Sequence, residues 1–212
     1  MPSLKDRLRE KRDQLSSDHA TRLHRAISWL ACAETHKEDE DIGFITLWIA
    51  FNACYGSDDQ AESLGERASF TRFMTLLVEL DTENRIYNSL WMNYSNFVKA
   101  LVNNEFVYPP FWRSVRAGDN EWEASFTASK KLAMSALSNN NTALLLEIIL
   151  DRLYVLRNQL VHGGATYKSQ VNRSQVKDGQ RLLAELLPII IPIMLDHDER
   201  DWGPICFPVV NR

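Results

Sequence analysis

Glycine and proline are scarce in this chain, eight and seven among 212 residues. They cluster rather than recur, which excludes the regularly spaced turns of an all-β protein. Cysteine is scarcer still. Cys32, Cys54 and Cys206 are odd in number and far apart, so they build neither a disulfide framework nor a metal-ligand spacing. A reducing cytoplasm is the compartment such usage suits. An excess of basic residues is also missing: 24 Lys and Arg stand against 28 Asp and Glu, a formal net charge of −4. That excludes coating nucleic acid by bulk electrostatics, though not a local positive groove.

Long hydrophobic runs are absent too. The longest, "LLPIIIPIML" at 186–195, falls far short of the roughly 20 residues of a membrane span. The opening "MPSLKDRLREKRDQL" is charged within its first turns and has no apolar leader region. The expectation is a soluble cytoplasmic chain that engages no membrane. No Gly-rich phosphate loop, H-E-x-x-H or G-x-S-x-G occurs, so no cofactor and no metal is expected.

What is present reads as helix. Hydrophobic residues make up 45% and charged residues 25%, ordinary for a globular protein, and no Pro/Gly/Ser-rich linker divides the chain. The expectation is one all-α domain over 1–212, a compact bundle of about six or seven helices with an extended C-terminal tail. Leu4, Leu8, Leu15, Leu23, Ile27 and Leu30 predict one long amphipathic helix to about residue 36. The acidic "EDED" (38–41) suits the start of a second helix, "IGFITLWIAFNACYG", apolar nearly all round and therefore central, with Gly56 as its stop. After a polar loop at 57–63 come helices near 65–81 and 83–103, the latter with Ile86, Leu90, Tyr94, Phe97 and Leu101 on one face. Pro109–Pro110 and Gly118 mark 105–120 as irregular, and Asn120 caps a helix over 121–138. Asn141 or Thr142 opens a helix that stops at Gly163–Gly164. A last helix over 173–196 should kink at Pro188 and Pro192. The tail from 197 to 212 should pack back through Trp202 and Phe207.

The chemistry concentrates in "RNQLVHGG" (157–164). Imidazole exchanges protons near neutral pH, guanidinium holds a phosphate in two-pronged fashion, and an amide orients a neighbour without titrating. His162, Arg157 and Asn158 together suffice for metal-independent RNA cleavage, in which the ribose 2′-OH attacks its own phosphate. Five helical steps turn Arg157 and His162 about 140° apart. They converge only if the last turn unwinds or if a second copy faces the first. The plain alternative is a polar helix end.

Arg157-x4-His162 on a late helix resembles the signature of the HEPN superfamily of helical nucleotide-binding domains. The "FITLWIAFNACYG" segment, and "RNQLVHGGATYKSQVNRSQV" followed by a closing helix, resemble its Apea-like group, over about residues 42–202. The resemblance implies a helical homodimer with a composite site. It implies an endoribonuclease of toxin–antitoxin or antiphage-defence systems, with Arg157 and His162 catalytic, Asn158 assisting, and a neutralising antitoxin protein as partner. Some toxins of the superfamily carry a modifiable tyrosine two residues after the histidine; here that position is Gly164. Other members serve as non-catalytic dimerisation or binding modules, the second reading of this chain.

Arg173, Lys177 and Arg181 recur every four residues along one face of the last helix, with Lys168 in the preceding loop. This stripe is read as a track for an RNA backbone, against the alternative of a solvated helix face. His19, His24 and His36 are expected on the surface, and His197 among solvated charges. Trp48, Phe51 and Tyr55 are expected in the core. Trp112 and Trp122, flanking the irregular stretch, are candidates for stacking on a base, with packing onto the bundle as the alternative.

Overall fold

The computed structural model describes residues 2–56, 63–93, 95–170 and 172–209. The chain is all-α, with no strand among the described residues. The helices are α1 (Leu4–Lys11), α2 (Ser17–Thr35), α3 (Glu40–Tyr55), α4 (Ser63–Leu80), α5 (Arg85–Asn88), α6 (Ser95–Val102), α7 (Pro109–Ala117), α8 (Trp122–Ser138), α9 (Thr142–Val161) and α10 (Arg173–Asp196). A π-helical turn, Ser89–Asn93, follows α5, and a 3₁₀ turn, Glu105–Val107, precedes α7.

There are more helices than the hydrophobic period suggests because polar capping residues interrupt it. The stretch read as one N-terminal helix is two. Arg12 to Ser16 turn, and the Ser16 hydroxyl accepts the His19 N–H to start α2 afresh. The stretch expected as a helix over 83–103 is helical over Arg85–Asn88, the π-turn Ser89–Asn93 and Ser95–Val102, so its departure from expectation is the widened π-turn inside it. The stretch expected to be irregular is mostly α7, since proline is tolerated in a first helical turn. Asn120 is not the cap of α8. Glu121 occupies that position, and the Asp119 carboxylate accepts its N–H. Of the loop expected at 57–63, residues 57–62 lie outside the described residues, as does Tyr94, and Ser63 already opens α4.

The chain divides into two compact units, one of residues 1–83 and 180–212 and one of residues 84–179. In the first, α2 packs along α3. Phe44, Leu47, Trp48, Phe51 and Cys54 of α3 are all buried, so this helix is central as its composition requires. Tyr55 is half-buried and meets the rings of Phe51 and Phe70. Gly43 is required by close approach: the Gln180 side chain lies where a Cβ would sit and donates to the Lys37 carbonyl. Residues 197–209 form neither helix nor strand, and no helix among the described residues is long and apolar enough to cross a membrane.

Two arginines of α2 hold the tail. Arg22, 1% exposed, donates to the carbonyls of Cys54, Gly203 and Pro204. Arg25 donates to those of Cys206 and Phe207. Trp202 is buried as expected, but Phe207 is 85% exposed. The end of the tail is held by its backbone carbonyls, so the Phe207 ring needs no pocket. His19 also departs from expectation, being buried. Its ring stacks on Trp202, its Nε2 lies 2.9 Å from the Met194 carbonyl, and its Nδ1 has no partner. His24 and His36 are exposed.

In the second unit the buried side chains include Ile86, Leu90, Phe97 and Leu101 along α5, the π-turn and α6. Ala133, Ala136 and Leu137 of α8 and Leu145, Leu146, Ile149, Leu153 and Leu156 of α9 continue the set. These three- and four-residue spacings are why α8 and α9 present apolar stripes and pack on each other.

Burial lowers the His19 pKa, with the Met194 carbonyl opposing and the Arg22 charge reinforcing the shift. The unfolded chain takes up the proton near pH 6.5, the folded chain only lower. Stability is therefore full above that value and lost as pH falls through this window. The urea midpoint should drop between about pH 7.5 and about pH 5.5. His19→Gln should shrink that drop, and an equal drop in both proteins would exclude His19 as its source.

Candidate functional site

The motif helix α9 starts where Asn141 accepts the Leu144 N–H and runs without interruption to Val161. Its end is built by backbone chemistry. His162 is the capping residue and still donates its N–H to the Asn158 carbonyl at 3.0 Å. Gly163 then takes φ +71, the left-handed conformation, and donates to Leu160, while Gly164 donates to Gln159. These are the two bonds of a Schellman closure. The glycine pair thus ends the helix directly behind the histidine and leaves the His162 side chain exposed.

Arg157 and Asn158 are half-buried one turn earlier, and the Arg157 guanidinium donates to the Asn158 Oδ1 at 2.9 Å. Asn158 therefore orients the arginine; no bond joins it to the imidazole among the described contacts. Because α9 keeps its helical register through the His162 N–H, the last turn does not unwind. Arg157 and His162 stay about 140° apart around the axis. One chain presents the arginine on one side of α9 and the imidazole on another, with Asn158, four residues before His162, on the surface between them. Tyr154 and Val161, respectively 44% and 48% exposed, continue the arginine side at the i, i+3, i+4, i+7 positions of one helical face.

Gln159, between the two groups, is a residue that sequence reasoning missed. Its Nε2 donates to the Phe106 carbonyl at 2.7 Å, and its Oε1 accepts from Asn172 at 2.9 Å. A single amide thus ties the 3₁₀ turn and the loop before α10 to the motif. Nothing in local sequence signals this, since the partners are 53 and 13 residues away.

Arg152 is the second missed residue. It lies 2% exposed on α9, with its guanidinium 4.2 Å from the Tyr108 ring centre and 5.5 Å from that of Phe126. One Nη reaches the Ser129 hydroxyl, and Nε has no partner. Burial pulls its pKa down to about 10, with Tyr108 and Asp151 acting the other way. The signal was there to read: Arg152 falls on the apolar stripe of Leu145, Ile149 and Leu156, where an arginine needs a special partner.

Trp112 and Trp122 are half-buried in a ladder of rings in which Phe111 meets Phe106, Trp112 and Trp122 nearly at right angles. Packing is their main employment. In the basic stripe, Arg173 and Lys177 belong to the second unit and Arg181 to the first. Arg173 Nε donates to the Ser169 carbonyl, and Lys168 lies exposed with Nζ 5.1 Å from the Tyr167 ring centre. Among the described residues, no three His, Cys, Asp or Glu side chains gather to hold a metal ion.

The Schellman closure yields a clean test. No atom lies within 4 Å of a Cβ built on Gly163, so Gly163→Ala meets only the backbone penalty of its positive φ. Thermal unfolding should show a loss of about 1 kcal/mol, partly restored in Gly163→Asn; no loss would mean the helix end is formed otherwise. No protein-family model, curated protein or solved structure matches this chain.

Proposed function

We propose that this chain is a HEPN-type endoribonuclease that works as a homodimer. The observation that carries this reading is the end of α9, where an exposed imidazole and an Arg157 orientated by Asn158 lie on different sides of an intact helix. A two-fold axis along α9 brings one chain's arginine to the partner's histidine, which a single intact helix does not do. The exposed Tyr154 and Val161 flank the arginine and supply apolar surface for that contact.

In this reading His162 takes the proton of the ribose 2′-OH, whose oxygen attacks the adjacent phosphorus. Arg157 binds the phosphate and stabilises the extra charge of the five-coordinate intermediate. The partner subunit's His162, protonated, gives its proton to the departing 5′ oxygen. The products are a 2′,3′-cyclic phosphate and a 5′-hydroxyl, with protons balanced across the two imidazoles. Lys168, Arg173, Lys177 and Arg181 guide the RNA backbone on an otherwise acidic chain. An antitoxin protein neutralises the enzyme in a cytoplasmic toxin–antitoxin or antiphage-defence role.

Arg157→Ala and His162→Ala should each lower cleavage of a structured RNA, assayed in chelator, by about 100-fold or more while leaving the circular dichroism unchanged. Equal cleavage by wild type and variants would remove Arg157 and His162 from the reaction, and no cleavage by the wild type would leave a non-catalytic helical module. Val161→Glu, by setting two carboxylates against each other, should shift sedimentation from dimer toward monomer and lower cleavage in step. A dimer untouched by that substitution would place the interface elsewhere.

A further inference from the structure

Phe106 is an aromatic residue held beside the motif, and its placement is built rather than incidental. Its N–H is accepted by the Asn104 side chain at 2.9 Å. Its carbonyl accepts from both Trp112 Nε1 and Gln159 Nε2, each at 2.7 Å. Three side chains therefore fix the backbone of a residue that is 47% exposed, while its neighbour Val107 is fully buried. The ring meets Phe111 nearly at right angles, 5.4 Å between centres, so that contact covers at most one of its faces. Val107 supplies the burial of this turn, and the same bonds hold the Phe106 ring in a fixed place at the surface, where its uncovered face is open to a ligand.

The anchor says what that use is. Gln159 precedes His162 by three residues, about 60° around the axis and one turn back, so Phe106 sits on the histidine side of α9. The same amide holds Asn172, whose next residue is Arg173 at the start of α10. One glutamine thus ties the backbone of Phe106 and the residue before Arg173 to the helix that ends in His162. A flat apolar ring on a turn fastened to the helix that carries a proton-transferring group fits a nucleobase still joined to its phosphate.

Resting on the ribonuclease reading above, we propose that Phe106 is the stacking platform for an unpaired base next to the scissile phosphate, making the site selective for single-stranded RNA. In a duplex the base faces are taken by neighbours, so only a splayed base reaches the ring. Phe106 is a specificity-determining residue here, and Gln159 positions it.

The test measures binding of fluorescein-labelled 2′-O-methyl oligoadenylate, which lacks the attacking hydroxyl, and of a 2′-O-methyl duplex, by anisotropy at one salt concentration. Phe106→Leu keeps apolar bulk against Phe111 but has no π face; Phe106→Trp enlarges the face. Leucine should weaken single-strand binding about tenfold and tryptophan should retain it, with duplex binding unchanged in both. Single-strand binding unaltered by leucine, an equal loss on the duplex, or no single-strand binding by the wild type would each overturn the platform. If Arg157→Ala and His162→Ala abolish cleavage while Phe106→Leu binds normally, the nuclease stands and the platform falls. If the wild type cleaves nothing yet loses single-strand binding in Phe106→Leu, the platform stands and the nuclease falls.

Discussion

The unbroken hydrogen-bond ladder of α9, carried as far as the His162 N–H and stopped by Gly163, is the constraint on which the site depends. A helix that frayed one turn earlier would let Arg157 and His162 swing together in one chain. A helix that ran one turn further would bury the imidazole's backbone in regular structure and move the loop away. Because the ladder ends where it does, the histidine is exposed and the arginine is held by its neighbour Asn158. The two sit on different sides of one cylinder. The need for a second copy in the proposed mechanism follows from that angle.

Gln159 matters for a related reason. It has one donor pair and one acceptor, and both ends are used, on the Phe106 carbonyl and the Asn172 amide. The motif helix is therefore coupled to the turn before it in space and to the loop after it in sequence. The cost of losing this residue falls on placement of groups more than on the core.

Two buried arginines show two ways of keeping a cation out of water. Arg22 is solvated by three carbonyl oxygens, which also fasten the tail to the first unit. Arg152 is stacked against aromatic rings in the second, with a single hydroxyl partner. Carbonyl solvation serves a chain segment with no regular structure of its own, whose backbone acceptors would otherwise lack partners. Aromatic stacking serves a helix interface where no backbone acceptor is free. Cys54, whose thiol burial pushes up to about 12, lies at the first of these sites as an inert apolar filler.

Much of this was legible beforehand. Helical period located α3, α8, α9 and α10, the acidic opening of α3 and the Asn141 cap were readable as such, and the glycine pair marked the helix end. Those features are local: a cap or a left-handed glycine acts within four residues, so sequence spacing contains it. The break between α1 and α2 is as local, set by the Ser16 cap, though the leucine period runs across it. The burial of His19, the exposure of Phe207 and the contacts of Arg152, Gln159 and Phe106 were not legible. Each is decided by a partner far along the chain: Met194 and Trp202 for His19, Phe106 for Gln159, Tyr108 for Arg152. Composition and periodicity by themselves determined that this chain is helical and that Arg157, Asn158 and His162 fall at the end of one helix. Only tertiary packing decided which of them face water, because burial is a property of what folds over a residue and not of the residue itself.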